Sequence, residues 1–214
     1  DDIIIGSAGS DVLLGYDGSD TISGGAGNDT IIGGGGVDIA RYSGARASYG
    51  VSAAAGGITV SDKTGADGFD TLSGVERLLF ADGALAFDGA GIGGQAYRVY
   101  QAAFNRTPDA GGVGYWMNVM QKGVPLTTVA EGFVASNEFR QAYGAAPGNA
   151  ELVGKFYENV LHRPAEKAGF DFWLNVLNTR AASVAEVLSA ISESKENVDN
   201  LAAVIGAGFE YTLY

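Results

Sequence analysis

Between Asp1 and Arg41 an apolar side chain recurs every ninth residue, at Ile4, Leu13, Ile22 and Ile31, with the weaker Ala40 closing the series. Two positions before each stands an aspartate: Asp2, Asp11, Asp20, Asp29 and Asp38. Glycines keep two further registers, Gly6, Gly15, Gly24 and Gly33, then Gly9, Gly18, Gly27 and Gly36. A fixed period of this kind marks a stacked architecture. A three-residue strand turns only its middle side chain to one face, so one apolar position per unit predicts a six-residue turn followed by a three-residue strand. Two units complete one coil, which sets Asp11 over Asp29 and Asp20 over Asp38 at the ~4.8 Å spacing of paired strands.

Beyond Arg41 the register is lost while the pattern stays extended. Ile58-Thr59-Val60 reads as a strand between Gly57 and Asp62, and Leu72, Val75, Leu78 and Phe80 supply apolar side chains. An open solenoid end invites edge pairing, so residues 42–90 are expected to continue the stack and cap it. From residue 91 the period becomes helical. Tyr97, Tyr100 and Phe104 share one helix face, as do Leu152, Phe156 and Val160. Thr107-Pro108-Asp109 has the form of a helix start, with a capping hydroxyl, proline at the first position and an acid in the first turn. The helical half is an internal duplicate at an offset of 57: Tyr100–Phe104, Arg106, Asp109, Gly112, Tyr115 and Trp116 match Tyr157–Leu161, Arg163, Glu166, Gly169, Phe172 and Trp173. After a two-residue deletion, Val129-Ala130-Glu131 aligns with Val184-Ala185-Glu186.

Composition sharpens this division. Of 34 glycines, 23 lie in residues 1–94, together with 12 Asp and one Glu against four basic residues. Residues 95–214 hold 3 Asp and 9 Glu against nine basic residues. Asp and Gly favour turns and Glu favours helices, so two architectures meet at Gly89–Gly94, which reads as a linker. A net charge of −12 argues against an electrostatic grip on nucleic acid or anionic lipid. No apolar run is long enough to span a membrane. Without cysteine, neither a disulfide framework nor a thiolate metal site can form. There is one histidine and no zinc-protease, nucleophile-elbow or P-loop motif, so a non-catalytic chain is expected.

The aspartate register carries its own chemistry. Stacked carboxylates ~5 Å apart at an effective dielectric of ~20 repel by roughly 3 kcal/mol per pair. A hard divalent cation removes that repulsion by taking six to eight oxygen ligands, and calcium suits a flexible all-oxygen cage better than magnesium or zinc. Residues 1–41 resemble the calcium-binding nonapeptide repeats of the repeats-in-toxin (RTX) family. The resemblance implies a parallel β-roll with each ion between turns two units apart. One complete site would use Ser7, Gly9, Asp11, Gly24, Ala26 and Asp29, and a second Tyr16, Gly18, Asp20, Gly33, Gly35 and Asp38. A partial third, at the N-terminal edge, would use Gly15, Asp17 and Asp20 with Asp2. Ser7 and Tyr16 replace the family's second glycine but would offer only backbone carbonyls. Asp62, Asp67 and Asp70 are a weaker candidate cluster for another ion.

The expected fold is therefore multidomain α and β: a parallel β-roll (1–41), its β continuation and cap (42–90), and an all-α bundle of about six to eight short helices (91–207). That helical pattern resembles an uncharacterised duplicated domain of secreted bacterial proteins, distantly similar to phycobilisome linkers. Arg106 and Arg163 are expected to brace turns, and Trp116 and Trp173 to pack in the core; the competing role for all four is binding a glycan. Residues 208–214 end in an acid followed by apolar and aromatic residues, which resembles the terminal signal of type I secretion substrates. The resemblances together imply a secreted, extracellular or surface-bound bacterial protein. Its partners would be calcium ions, the type I secretion apparatus and a cell-surface or matrix polysaccharide or protein. The alternatives are the non-catalytic tail of an exported protease, lipase or polysaccharide-active enzyme, or a glycan-binding helical module.

Overall fold

The computed structural model describes residues 1–54 and 56–214. It divides into two compact units, Asp1–Gly89 with Val204–Leu213, and Ala90–Ala203 with Tyr214.

In the first unit successive strands alternate between two sheets. Ile3–Ile5 (β1), Thr21–Ser23 (β3), Ile39–Arg41 (β5) and Arg77–Leu79 (β9) lie in one, all parallel. Val12–Asp17 (β2), Thr30–Gly35 (β4) and Phe69–Ser73 (β8) lie parallel in the other. The registers run Ile4↔Ile22↔Ala40↔Leu78 and Leu13↔Ile31↔Leu72. The nine-residue apolar positions Ile4, Leu13, Ile22, Ile31 and Ala40 are thus stacked together with Leu72 and Leu78, and the pleat sends them inward. Ile22, Ile31, Ala40, Leu72 and Leu78 are at most 2% exposed, whereas the alternating Ile3, Ile5 and Val12 are 70% exposed or more.

Two details depart from the sequence expectation. First, β2 and β4 run for six residues rather than three, because the first half of the turn keeps pairing, Tyr16 with Gly34 and Asp17 with Gly35. Second, the continuation expected beyond Arg41 is interrupted by an inserted hairpin. Tyr49–Ala54 (β6) and Gly57–Asp62 (β7) form an antiparallel hairpin, and β7 pairs antiparallel with β8, while β8 and β9 rejoin the parallel ladders on β4 and β5. The hairpin is thus an insertion that closes one sheet, with Tyr42, Tyr49 and Phe80 packed ring on ring at 5.0–5.6 Å beneath it. The other sheet is closed by Ala84–Ala86 (β10) and, from the C-terminal segment, Phe209–Tyr211 (β11), both antiparallel. Phe209 and Tyr211 are buried and Glu210 points out, the alternation of a docked strand.

The second unit is helical, with eight α-helices starting among the described residues of 92–206: Ile92–Phe104 (α1), Ala110–Gln121 (α2), Leu126–Val134 (α3), Asn137–Tyr143 (α4), Asn149–Val160 (α5), Lys167–Asn178 (α6), Val184–Ser192 (α7) and Lys195–Gly206 (α8). None is long and apolar enough to cross a membrane. α1 is small or apolar on most faces and lies at the centre, against α2, α3, α4, α5 and α7. The duplication is visible as matching pairs α1/α5, α2/α6, α3/α7 and α4/α8, but the second half of the alignment shifts. α7 begins and ends 58 positions after α3. Buried Val129, Ala130 and Phe133 therefore correspond to buried Val187, Leu188 and Ile191. Val129-Ala130-Glu131 matches Val187-Leu188-Ser189, not Val184-Ala185-Glu186: the second copy gains one residue instead of losing two.

The corrected register pairs the two turn braces. Arg106 donates through Nε to Glu138 Oε1 (2.8 Å) and through Nη2 to the Tyr100 hydroxyl (2.7 Å), which donates to Asp109 Oδ2 (2.6 Å). Arg163 repeats this on Glu196 (Nη2 to Oε2, 2.7 Å) and Glu166, with its guanidinium 5.2 Å from the Tyr157 ring centre. The Tyr100 hydroxyl, then the Gly112 amide, hold the Asp109 carboxyl below its ordinary value.

Two outcomes follow from this packing. Leu78→Ala, which empties a fully buried site, should cost about 2–5 kcal/mol in a denaturant melt, against under about 0.5 kcal/mol for the exposed Val12→Ala. Because the Asp109 carboxyl is depressed on folding, its stabilisation is complete above the unfolded carboxylate pKa and is lost as pH falls through the lower folded value. The melting-temperature deficit of Asp109→Asn should therefore be constant from pH 7 to 5 and shrink progressively as pH falls below the unfolded carboxylate value of about 4.

Candidate metal centre

The turns between strands do the chemistry of the first unit, and their glycines set its geometry. The second and fourth turn positions are left-handed at Tyr16 (φ 69°), Gly18 (φ 129°), Gly25 (φ 97°), Gly27 (φ 118°), Gly34 (φ 119°) and Gly36 (φ 133°). Tyr16 keeps this conformation despite its side chain, which is 71% exposed. Consecutive turns on one side of the coil then approach backbone to backbone. A methyl group on Gly34 would sit 1.8 Å from the Tyr16 carbonyl oxygen, and one on Gly36 2.0 Å from that of Gly18.

The register aspartates form two columns along the stack. In one, the Asp2 amide donates to Asp20 Oδ1 (2.6 Å), the Asp20 amide to Asp38 Oδ1 (2.8 Å) and the Asp38 amide to Glu76 Oε2 (2.8 Å). In the other, the Asp11 amide donates to Asp29 Oδ1 and the Asp29 amide to Asp70 Oδ1, both at 2.9 Å. One carboxylate oxygen per residue is thereby satisfied. The second is not: Oδ2 of Asp20, Asp29 and Asp38 is buried with no hydrogen-bond donor, and these residues are at most 2% exposed. A methyl on Gly15 would lie 2.6 Å from Asp20 Oδ2 and 2.3 Å from the Gly33 carbonyl oxygen. On Gly6 it would lie 2.9 Å from Asp11 Oδ2 and 2.1 Å from the Gly24 oxygen. Carboxylate and carbonyl oxygens converge on one small space, each an acceptor. A buried acceptor without a donor is costly, and only a cation satisfies several at once. The donor set, all oxygen with no nitrogen or sulfur, fits calcium.

The residues expected from sequence fall in these turns. Asp11, Asp29, Gly24, Asp20, Gly33 and Asp38 meet as just described. At the site edges, the Ser7 oxygen accepts from the Ala26 amide (3.1 Å), and the Gly35 oxygen accepts from the Gly18 amide (2.8 Å). Gly27 packs on Gly9. Asp11 Oδ2, at the outermost complete turn, accepts from the Ser7 amide and hydroxyl, which lower its pKa. Among the described residues no three acidic or histidine side chains form a group that could hold a metal ion by themselves.

Asp62, Asp67 and Asp70 each accept from donors of the protein itself. Asp62 accepts from the Thr64 hydroxyl and from the Thr64 and Asp67 amides, which lower its carboxyl to about 2. Asp67 accepts from the Tyr49 hydroxyl. Asp70 belongs to an acid column, and its Oδ2 accepts from the Tyr42 hydroxyl (3.0 Å); burial raises its carboxyl to about 6 against those bonds. The signal that places Asp70 lies in the sequence: Gly65-Ala66-Asp67-Gly68-Phe69-Asp70-Thr71-Leu72-Ser73 is a further nine-residue unit. It stands 41 residues after Asp29, out of register by the inserted hairpin. Glu76, three residues from Ser73, has no such unit around it, and nothing in the repeat pattern points to it.

In the helical unit, Arg106 and Arg163 are engaged in the braces described above. Trp116 packs edge-on against Phe133 at 4.9 Å, and Trp173 against Phe172 at 4.9 Å.

Comparison with known proteins matches this division. The RTX calcium-binding nonapeptide repeat model (4 copies) matches residues 5–40, and the model of a domain of unknown function (DUF4214) matches residues 130–201. No curated protein matches the chain in sequence. Among solved structures, the extracellular lipase LipA from Serratia marcescens aligns over 42% of this chain at 22% identity and a TM-score of 0.27. The aligned part spans 17% of the lipase's length. The chain carries RTX nonapeptide repeats, which bind calcium, in its acid-column unit, and a DUF4214 domain in its helical unit.

Proposed function

We propose that this chain is a non-catalytic region of a type I secreted bacterial protein, acting outside the cell or on its surface, whose first unit is a parallel β-roll that folds on calcium. The observation that carries the reading is the set of buried, donor-less Oδ2 atoms of Asp20, Asp29 and Asp38, which lie in acid columns beside inward carbonyl oxygens. Bound there, calcium supplies the positive charge that stacked acceptors lack. The chain's own residues do the rest. The glycine turns bring the carbonyls of Gly24 and Gly33 inward, and the amide-to-Oδ1 bonds fix each carboxylate so that its second oxygen faces them.

Where calcium is scarce, the columns repel and the modest apolar core does not hold the unit together. Where calcium exceeds its dissociation constant by 100- to 1,000-fold, each site adds about 3–4 kcal/mol. Folding is thereby tied to the calcium-rich exterior, and the chain leaves the cell unfolded. The helical unit, in which Arg106 and Arg163 are committed to bracing its own turns, serves adhesion or matrix contact.

Trp116 and Trp173 both lie in the helical unit, which separates the two signals. In chelator the full chain should lose strand signal by circular dichroism while tryptophan fluorescence stays native, and millimolar calcium should restore the strands. Asp29→Ala should raise the calcium midpoint by ~10-fold or more, at least the loss expected from removing a residue that merely orients a ligand. Strand content unchanged by chelator would contradict the reading.

A further inference from the structure

The acid column does not stop where the repeats stop. Asp38 is the last register aspartate, fully buried, and its Oδ2 has no hydrogen-bond donor. Its amide donates to Glu76 Oε2 at 2.8 Å, as the Asp20 amide donates to Asp38 Oδ1 at 2.8 Å and the Asp11 amide to Asp29 Oδ1 at 2.9 Å. The carbonyl partner repeats as well. A methyl on Gly33 would lie 2.6 Å from Asp38 Oδ2 and 1.9 Å from the Gly74 carbonyl oxygen. The equivalent distances are 2.6 and 2.3 Å at Gly15, and 2.9 and 2.1 Å at Gly6. The Gly34 oxygen lies 3.3 Å from the corresponding point on Gly74. The same placement therefore occurs three times: an earlier acid's Oδ2, a carbonyl from the first glycine of the turn stacked on it, and a later acid that accepts the earlier acid's amide. The Oδ2 is without a donor at Asp20 and Asp38, whereas that of Asp11 accepts from Ser7. In its third occurrence the later turn is only Gly74-Val75-Glu76, with a glutamate in place of the aspartate.

We propose that Asp38, Gly74 and Glu76 form a calcium site outside the nonapeptide repeats. The proposal rests on the calcium reading of the repeats and extends it to a turn that has neither their length nor their acid. The longer glutamate side chain spans what the shortened turn leaves out, reaching the Asp38 amide that an aspartate reaches from a six-residue turn. The chemistry is the same: two carboxylates and inward carbonyls, with Asp38 Oδ2 left without a protein donor. A second consequence is mechanical. Glu76 precedes β9, which pairs parallel with β5, so an ion here ties the strand that resumes the stack to the last repeat, and the two fold as one calcium-dependent body.

The test is equilibrium dialysis of the full chain against calcium alone, with circular dichroism on the same samples. Glu76→Gln, which keeps an acceptor for the Asp38 amide and removes the charge, should bind one calcium fewer than the parent chain at saturation, with native strand signal. An equal count with unchanged affinity would overturn the proposal and leave the repeat sites standing. A parent chain that binds no calcium would overturn the underlying reading instead. Should Glu76→Gln fail to fold, a crystal of the parent chain grown in calcium decides. Anomalous density beside Asp38 Oδ2 and Gly74 O is expected; density confined to the sites within residues 5–40 would contradict the site.

Discussion

The structure depends on acceptors facing acceptors. Asp20, Asp29 and Asp38 each spend one carboxylate oxygen on the amide of a neighbour in the column and leave the other buried without a donor. Backbone pairing, glycine turns and apolar pleats bring the chain to that arrangement, and none of them relieves it. In an ordinary protein such groups would be removed or supplied with donors. Here they are repeated at a fixed interval, so the missing positive charge is part of the fold.

That constraint accounts for the rest of the first unit. The apolar core is narrow, one side chain per nine residues, because a three-residue inward pleat has room for no more. Glycine is abundant because stacked turns approach within a methyl group's radius, as at Gly34 over Tyr16. The ends are handled by antiparallel strands. β6 and β7 close one sheet, β10 and β11 the other, so the parallel edges are covered on the C-terminal side. The helical unit obeys other rules. It is held by a buried central helix and by two Arg–Tyr–acid braces, and the ion pairs that define it are internal.

The nine-residue register makes the strands, the core positions and the repeat carboxylates legible in the amino-acid sequence, because strand pairing repeats what the sequence repeats. What escapes is whatever breaks that period. Asp70 lies in a recognisable unit displaced by a hairpin, and periodicity alone cannot see across an insertion of arbitrary length. Glu76 is harder, since a shortened turn and a longer side chain reach the same point in space by a different route. The lengthened β2 and β4 are hidden because glycine turns pair like strands without strand-forming residues. In the helical half, Val129-Ala130-Glu131 resembles Val184-Ala185-Glu186 in letters, yet burial equates it with Val187-Leu188-Ser189. Packing is blind to residue names that do not change which face is apolar.

Hydrogen exchange on the full chain measures the calcium dependence of the fold most directly, residue by residue. In calcium, the amides of Asp11, Asp20, Asp29, Thr30 and Ile39, which close the columns and ladders, should be protected. In chelator they should exchange at the rate of an unfolded chain, while amides of α1 keep their protection. Column amides equally protected in both conditions would show that the fold stands without a cation, and would contradict the calcium requirement outright.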